Sequence, residues 1–304
     1  MNLPDVTLCC VETRFPALAL MAMRRCTDAF GFGDVVLFTD ARKLGDAPAP
    51  AIQGLRVVHV DIGSLADYSE FILRGLLAHV RTTHVLVVQW DGFVLDPAAW
   101  DDEFLGYDYV GAPWPDAPSD RAVGNGGFSL RSRRLLEALG DPGLQISHPE
   151  DLCICDVNRE RLEQRHGIRF APAALAARFA FEGSSPPGPT LGFHGLFNLH
   201  RALSGVELAA FLAALPDGVA RERDARTLCK VLLGDGDVAA ARLLLDKAGR
   251  AGPFDLRLAR MWLRYGTAMA RGTLAHALNA WHPAGIARSV AGRSGSAPSA
   301  SPSP

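Results

Sequence analysis

The chain has 304 residues, a formal net charge of −2 and 48% apolar residues. This length suits one large domain, or a medium domain with an appendage, and the apolar content suffices for a sizeable core. The near-neutral charge argues against a dedicated nucleic-acid surface, because proteins that bind nucleic-acid phosphates normally carry a basic excess.

The first ninety residues alternate between apolar runs and helical patterns. Helices are predicted at Pro16–Phe30 and at Tyr68–Val80, the second with Asp67 and Glu70 in capping-box spacing. Buried strands are predicted at Val6–Val11, Asp34–Thr39, Leu55–Ile62 and His84–Gln89. Such βαβ units indicate a mostly parallel sheet that is covered on both faces.

Ligands of such sheets sit at the carboxyl ends of the strands. Three polar groups follow predicted strands in this chain: Glu12-Thr13-Arg14, Asp40 and Gln89-Trp90-Asp91. The sequence therefore predicts that these groups share one rim.

The middle of the chain continues the α/β pattern. Strands or extended segments are predicted at Asp108–Ala112, Phe128–Leu130, Ile168–Ala171 and Arg178–Phe181. Helices are predicted at Arg131–Leu139 and Glu150–His166, with Arg131, Arg133 and Arg134 on a solvated face from which Arg131 could reach a phosphate.

The pattern changes after about Ser204, where amphipathic helices follow one another. They are predicted at Val206–Leu215, Asp224–Leu233, Val238–Gly249 and Asp255–Ala270. The turn at Leu233–Asp237 is similar to those of tetratricopeptide-like hairpins. We therefore divide the chain into an α/β domain (1–204), a helical region (205–284) and a disordered Ser/Ala/Pro-rich tail (285–304).

The six cysteines contain no Cys-x-x-Cys pair, and the chain is too long to need disulfide staples. We expect reduced thiols in a cytoplasmic protein, with Cys153 and Cys155 as buried packing residues. Met1–Asp5 has no positively charged start of a signal peptide, and no apolar stretch reaches the length of a membrane span.

Gln89 and Asp91 stand two residues apart at the end of an apolar strand, so their side chains face the same way. Two oxygen side chains in that position suit a hard cation such as magnesium or manganese. The alternative is an ordinary turn, because Asp91-Gly92 is a common turn pair.

The loop Gly124-Asn125-Gly126-Gly127 is dense in glycine. Glycines let backbone amides approach a ligand closely, and Asn125 can hydrogen-bond sugar hydroxyls. The alternative is a tight hairpin turn, which favours Asn-Gly. The residues alone leave both interpretations open.

Two further phrases carry candidate chemistry. Glu150 and Asp151 begin a predicted helix, where a carboxylate can act as general base or, with Ser147, form a capping box. His194 stands between Phe193 and Gly195 and is a candidate metal ligand, although a lone histidine is more often structural.

In this order the phrases resemble a bacterial family known as domain of unknown function 5672, whose members look like glycosyltransferases of the GT-A fold. The resemblance covers about Val6 to Arg201. It is carried by Tyr68-Ser69-Glu70-Phe71, Gln89-Trp90-Asp91-Gly92, Tyr109-Val110-Gly111-Ala112-Pro113-Trp114 and Gly124-Asn125-Gly126-Gly127-Phe128-Ser129-Leu130.

The resemblance implies a GT-A-like Rossmann-type mixed sheet flanked by helices, a C-terminal helical appendage, and a nucleotide-sugar donor, most simply a UDP-sugar, with Mn²⁺ or Mg²⁺. Gln89-Trp90-Asp91 occupies the place of the family's Asp-x-Asp motif, so Asp91 and His194 would hold the metal. Glu150 or Asp151 would be the catalytic base. Donor contacts would come from Thr13, Arg14, Asp40, Gln89, Trp90, Asn125, Gly126 and Gly127.

The function predicted is transfer of a sugar to a hydroxyl acceptor, such as a glycan or a lipid-linked acceptor. The missing first acid of the motif and the helical region favour an alternative, a catalytically inactive scaffold that acts through its C-terminal helices. A nucleotidyltransferase is a third possibility, but no lysine-bearing glycine-rich signature follows the first strand. The C-terminal helices are also candidates for self-association.

Overall fold

The computed structural model of the protein describes residues 1–44, 51–118, 121–186 and 188–280, and only the backbone of 272–280. The tail that the sequence predicts to be disordered, 285–304, lies outside the described residues. No helix in these ranges is both long and apolar enough to cross a bilayer.

The described residues contain one mixed sheet of six strands. The strands are β1 (Asn2–Val11), β2 (Gly31–Thr39), β3 (Leu55–His59), β4 (His84–Val88), β5 (Tyr109–Gly111) and β6 (Phe128–Ser132). They lie in the order β3-β2-β1-β4-β6-β5. The first four are parallel, and β6 runs antiparallel to both of its neighbours. The predicted sheet is thus confirmed.

Both faces of the sheet are covered, which explains why its strands read as continuous apolar runs. Successive residues of β1 enter opposite cores, with Leu8 and Cys10 on one face and Cys9 and Val11 on the other. All five residues of β4 are buried. The side-chain alternation of a strand therefore feeds two cores at once.

Helices and short irregular turns connect the strands. The helices of the α/β part are α1 (Pro16–Ala29), α2 (Leu65–Glu70), α3 (Arg133–Ala138), α4 (Glu150–Leu152), α5 (Arg159–His166), α6 (Ala173–Phe179) and α7 (Leu199–Ala202). π-helical turns extend α2 over Phe71–Gly75 and α4 over Cys153–Val157. Two short parallel strands, β7 (Ala180–Phe181) and β8 (Gly192–Phe193), form a separate pair.

Two predicted helix caps are wrong. Ser64 caps α2 by accepting a hydrogen bond from the Asp67 amide at 3.1 Å, so the helix begins earlier than the Asp67–Glu70 spacing suggested. Pro149 precedes α4 and provides no side-chain cap, so Ser147 has no capping role.

Three predicted elements also differ. Arg131 belongs to β6 and is fully buried, so it is not part of a solvated helix face. Ile168–Ala171 forms no strand and contributes one bridge, between Phe170 and Tyr109. The first half of Arg178–Phe181 is the end of α6, and the strand β7 begins only at Ala180.

The helical region consists of α8 (Gly205–Ala214), α9 (Arg223–Asp235), α10 (Val238–Arg250) and α11 (Leu256–Ala280). Gly236, with φ of 84°, ends α9 and lets the chain turn into α10, as the Gly-rich phrase predicted. Phe211 of α8 stacks on Trp90, with ring centroids 6.4 Å apart. The core on that face of the sheet therefore continues into the helices, and the division at residue 204 stays a prediction.

Candidate functional site

A cleft of about 540 Å³ opens at the carboxyl ends of the parallel strands. Residues that follow β1, β3 and β4 form one side of it, as the strand rule predicts. The glycine loop before β6 and the start of α4 form the rest, together with Glu182 and His194. Segments that are far apart in sequence thus meet at one cavity.

Ten of the twelve predicted site residues line this cleft: Thr13, Arg14, Gln89, Trp90, Asn125, Gly126, Gly127, Glu150, Asp151 and His194. Asp91 is not a lining residue, but its Oδ1 lies 3.5 Å from Nε2 of His194. Asp40 is elsewhere. Its carboxylate accepts hydrogen bonds from the backbone and side chain of Arg42 and caps a short turn.

His194 lies at the centre of a polar cluster. Its Nδ1 is 2.9 Å from Oε1 of Glu182, and its Nε2 is 3.1 Å from Oε1 of Gln89. The second oxygen of Asp91, Oδ2, accepts a hydrogen bond from the Leu196 amide at 3.2 Å. Both ring nitrogens therefore face oxygen atoms, and backbone contacts fix the Asp91 carboxylate.

The electrostatics of this cluster follow from two carboxylates around one imidazole. Burial alone would lower the pKa of His194, but Asp91 and Glu182 raise it to about 10. Burial conversely acts to raise the pKa of Asp91 and Glu182, yet the nearby imidazolium holds both below their ordinary values. These shifts in pKa favour a protonated His194 between two ionised carboxylates.

Glu182 was missed by sequence reasoning. Its Oε2 accepts a hydrogen bond from Nδ2 of Asn125 at 2.6 Å, so it connects the glycine loop to His194. The pairing of β7 with β8 brings Glu182 to this position, because Phe181 lies beside Phe193. The residues after them, Glu182 and His194, are then neighbours.

Asn125 has the geometry of a ligand contact. Its backbone is left-handed, with φ of 59°, which asparagine tolerates better than most residues. The side chain is buried, and its Oδ1 has no hydrogen-bond partner within the described residues. Because such an acceptor is costly to leave unpaired, it is suited to receive a hydroxyl from a molecule in the cleft.

The glycines of the loop make room for protein groups. A Cβ on Gly127 would lie 2.2 Å from the His194 ring, and one on Gly126 would lie 2.1 Å from Oε1 of Glu150. A Cβ on Gly124 would lie 2.0 Å from the Trp114 ring. These glycines therefore accommodate the site's own side chains, and the close approach of a ligand to the loop stays a prediction.

Glu150 and Asp151 have different surroundings. Oε1 of Glu150 accepts a hydrogen bond from Nη2 of Arg131 at 3.1 Å, and both side chains are buried. Glu150 and Tyr109 raise the pKa of Arg131 above its ordinary value although burial opposes them. Asp151 is half-buried, and its Oδ2 accepts a hydrogen bond from the Gly126 amide at 3.1 Å.

The end of the cleft beside β1 contains two of the predicted donor-contact residues and two aromatic rings. Thr13 is buried and donates to the Ile62 carbonyl at 3.2 Å, whereas the Arg14 side chain is 62% exposed at the rim. Trp114 and Tyr68 are further lining residues with aromatic rings. The hydroxyl of Tyr68 accepts a hydrogen bond from Nε2 of Gln89 at 3.0 Å, which directs the amide oxygen of Gln89 toward His194.

The donor set around His194 fits a hard divalent cation. Asp91 supplies a carboxylate oxygen, Gln89 an amide oxygen and His194 an imidazole nitrogen, a combination that manganese and magnesium accept. Within the described ranges no group of three or more His, Cys, Asp and Glu side chains is arranged as a metal site. Further ligands would therefore have to come from water or substrate.

Comparison with known proteins now supports the resemblance. Residues 57–192 match the family described as a protein of unknown function, DUF5672. That segment includes the QWDG phrase, the glycine loop and the Glu150-Asp151 pair, so the family expected from the sequence is confirmed there. No curated protein matches the chain.

Several solved structures are similar to the chain. A manganese complex of Rv0371c from Mycobacterium tuberculosis shares 19% identity over 56% of this chain and 88% of that one, with a TM-score of 0.35. A glycosyltransferase involved in glycosylation of the major capsid of PBCV-1 shares 11% identity over 63% of this chain and 92% of its own, with a TM-score of 0.38. HddC from Yersinia pseudotuberculosis shares 14% identity over 44% of this chain and 79% of its own, with a TM-score of 0.31. At these scores the likenesses carry no argument about ligand or activity.

Proposed function

We propose that this protein is a cytoplasmic, metal-assisted glycosyltransferase. It would move a sugar from a nucleotide-diphosphate donor, most simply a UDP-sugar, to a hydroxyl of a glycan or lipid-linked acceptor. The cytoplasmic assignment is supported by its six cysteines, all of which are unpaired and buried.

The observation that carries the proposal is the convergence of distant polar phrases on one cleft. Gln89, Asn125, Asp151 and His194 come from four separate segments of the chain, yet all of them line it. A role in folding alone can explain each of these residues separately. It does not explain why an unpaired buried acceptor on Asn125 lies beside the negatively charged cluster around His194. Sugar hydroxyls and a metal-bound diphosphate are chemically complementary to that pair of features.

Asp91 and His194 would hold a Mn²⁺ or Mg²⁺ ion, with Gln89 as a neutral oxygen donor. When bound, the cation would neutralise the diphosphate and stabilise it as a leaving group. His194 would have to release the proton on Nε2, while Glu182 keeps the Nδ1 proton and fixes the ring. Arg14, at the rim of the cleft, would contact a phosphate of the donor.

The acceptor base is assigned to Asp151. Glu150 is engaged by the buried guanidinium of Arg131, so taking up the acceptor's proton would cost it that ion pair. Asp151 lines the cleft, is half-buried and is held by the Gly126 amide beside the sugar-binding loop. It can therefore accept the proton of an incoming hydroxyl without giving up an ion pair.

Calorimetric titration with UDP and GDP, with and without manganese, tests this function. We expect manganese-dependent binding of one nucleotide diphosphate, and Asp91→Asn is expected to weaken it by about a hundredfold or more. Asp40→Asn is the control, because Asp40 lies outside the cleft and should leave binding unchanged. No binding of either nucleotide by the wild-type protein would contradict the proposal.

A catalytically inactive scaffold is the second candidate, and one observation favours it. Both nitrogens of His194 already face oxygen atoms of the protein, so the site is satisfied without a cation. Such a protein would act through its C-terminal helices. Hydrolysis of a UDP-sugar by the wild type, lost in Asp91→Asn, would rule this candidate out.

A further inference from the structure

Charge is strongly segregated along this chain. All 33 Asp and Glu residues lie at or before Asp255, whereas six of the 31 Lys and Arg residues follow it. The near-neutral total therefore conceals an acidic body and a cationic C-terminal segment. The helix α11 is the described part of that segment.

One side of α11 is buried in the helical region. Leu258 and Met261 belong to the core, and Trp262 and Tyr265 pack partly against it. The guanidinium of Arg242 lies 4.9 Å from the Trp262 ring centroid on this side. These four residues have helical spacing, so they define the inward face of α11.

The opposite face combines arginines with exposed leucines. Leu256 and Leu263 are seven residues apart, which places them on one side two turns apart, and they are 66% and 73% exposed. Arg260 and Arg264 lie beside them along the same side of the helix. Phe254, just before the helix, is 68% exposed.

The arginines of this face are not neutralised by the protein. Arg257, Arg260, Arg264 and Arg271 form no ion pair with any carboxylate of the described residues, whereas Arg221 and Arg242 nearby are paired with Asp255 and Asp246. A surface that presents cationic groups next to unburied leucines matches the interface of an anionic bilayer, which offers negative headgroups above an apolar layer.

We propose that the outward face of α11, defined by Leu256, Arg260, Leu263 and Arg264, docks the protein on anionic lipid membranes. The leucines would enter the boundary between headgroups and acyl chains, and the arginines would lie among the anionic headgroups. A bilayer presents an anionic layer directly above an apolar layer, whereas a second copy of α11 would bring like charges together. The lipid surface satisfies both features of the face.

Vesicle co-sedimentation of the full chain tests this proposal. We expect binding to phosphatidylcholine vesicles that contain phosphatidylglycerol, weak binding to vesicles of phosphatidylcholine alone, and a loss of binding at high salt. The variant Arg260→Gln/Arg264→Gln should weaken binding by about fivefold for each arginine removed. The variant Leu256→Ser/Leu263→Ser should weaken it by about tenfold or more.

The controls change matched residues on another surface. Arg165→Gln and Val157→Ser alter an exposed arginine and an exposed apolar residue outside α11, and should bind vesicles as the wild type does. Circular dichroism should show equal helix content for all variants, because the altered leucines are exposed. Absence of wild-type binding to anionic vesicles would overturn the proposal, as would binding that neither α11 variant reduces. A leucine-dependent dimer in light scattering, without vesicle binding, would overturn it in favour of a second copy.

Discussion

Two charge clusters border the cleft, and they differ in their balance of charge. The buried pair of Arg131 and Glu150, called the floor pair below, contains one cation and one anion. The imidazole cluster, His194 with Asp91 and Glu182, contains two anions around one ring. The first is electrically closed, whereas the second carries one excess negative charge even when the imidazole is protonated.

The difference in charge balance distinguishes a charge pair that stabilises the fold from a charge cluster that can bind a cation. A closed pair has little to gain from a ligand, because adding either charge would upset it. A cluster with excess negative charge gains when a cation joins it or replaces the proton on the ring. The comparison therefore predicts a stabilising role for the floor pair and a ligand-binding role for the imidazole cluster.

The largest effect is expected from opening the floor pair. Glu150→Gln leaves the guanidinium of Arg131 buried without a counter-charge, in a position where its Nη1 already has no partner within the described residues. We expect the free energy of unfolding to fall by about 3–5 kcal/mol. Urea denaturation followed by circular dichroism measures this loss.

A double variant checks that the loss arises from the unpaired charge. Arg131→Met/Glu150→Leu removes both charges and should recover much of the stability, because apolar side chains replace the pair. Asp151→Asn, a change one residue further along the helix, should affect unfolding far less. If Glu150→Gln keeps wild-type stability but abolishes transfer, Glu150 is the base and the comparison fails.

The strands could be predicted because burial on both faces leaves a direct mark on the sequence. The helix starts could not, since Asp67 and Glu70 offer the same spacing as the true cap at Ser64. Arg131 was placed on a helix because its counter-charge, Glu150, lies nineteen residues later. A buried ion pair leaves no local pattern, so only tertiary contact reveals it.

The candidate site was predictable where it follows strand ends. Gln89 and Asn125 stand in recognisable phrases, and His194 could be named because the family resemblance gave it a role. Glu182 stands in no motif, and its place beside His194 depends on the pairing of two two-residue strands. Asp40 also follows a strand, but its carboxylate is used by the Arg42 turn. The rule that ligands bind at the carboxyl ends of strands predicts which edge of the sheet carries the site, but it does not predict the direction of each side chain.

A smaller effect is expected from removing one carboxylate of the imidazole cluster. Glu182→Gln keeps a hydrogen-bond acceptor near Nδ1 of His194 but removes the charge that favours the correct orientation and basicity of the ring. Loss of a carboxylate that orients a metal-binding histidine lowers metal affinity by about 10- to 100-fold. Calorimetric titration of manganese in the presence of UDP measures the change.

The control for this variant is Glu103→Gln, which changes a carboxylate paired with Arg178 at the surface. It should leave manganese affinity unchanged. If Glu182→Gln binds manganese as tightly as the wild type, the excess negative charge has no part in cation binding. The imidazole cluster would then be a structural group like the floor pair.

The smallest effect is expected from a closed pair that is only partly buried. Arg56 donates to Asp34 from two nitrogens, at 2.5 and 3.1 Å, and chiefly this hydrogen bonding lowers the pKa of the Asp34 carboxyl below its ordinary value. Arg56 is 39% exposed, so solvent screens the pair. Asp34→Asn should therefore cost about 1 kcal/mol at neutral pH.

The pH dependence of that cost shows whether charge causes it. A carboxyl with a lowered folded pKa adds stability above its unfolded pKa, and this contribution disappears as the pH falls through the folded pKa. The difference between wild type and Asp34→Asn should accordingly shrink in acid, when urea denaturation is repeated at decreasing pH. Asp5→Asn, at an exposed position without an ion pair in the described structure, should show no such trend. A stability difference between wild type and Asp34→Asn that stays constant with pH would instead reflect altered packing. The Arg56–Asp34 pair would then contribute to the fold through contacts and not through its charges.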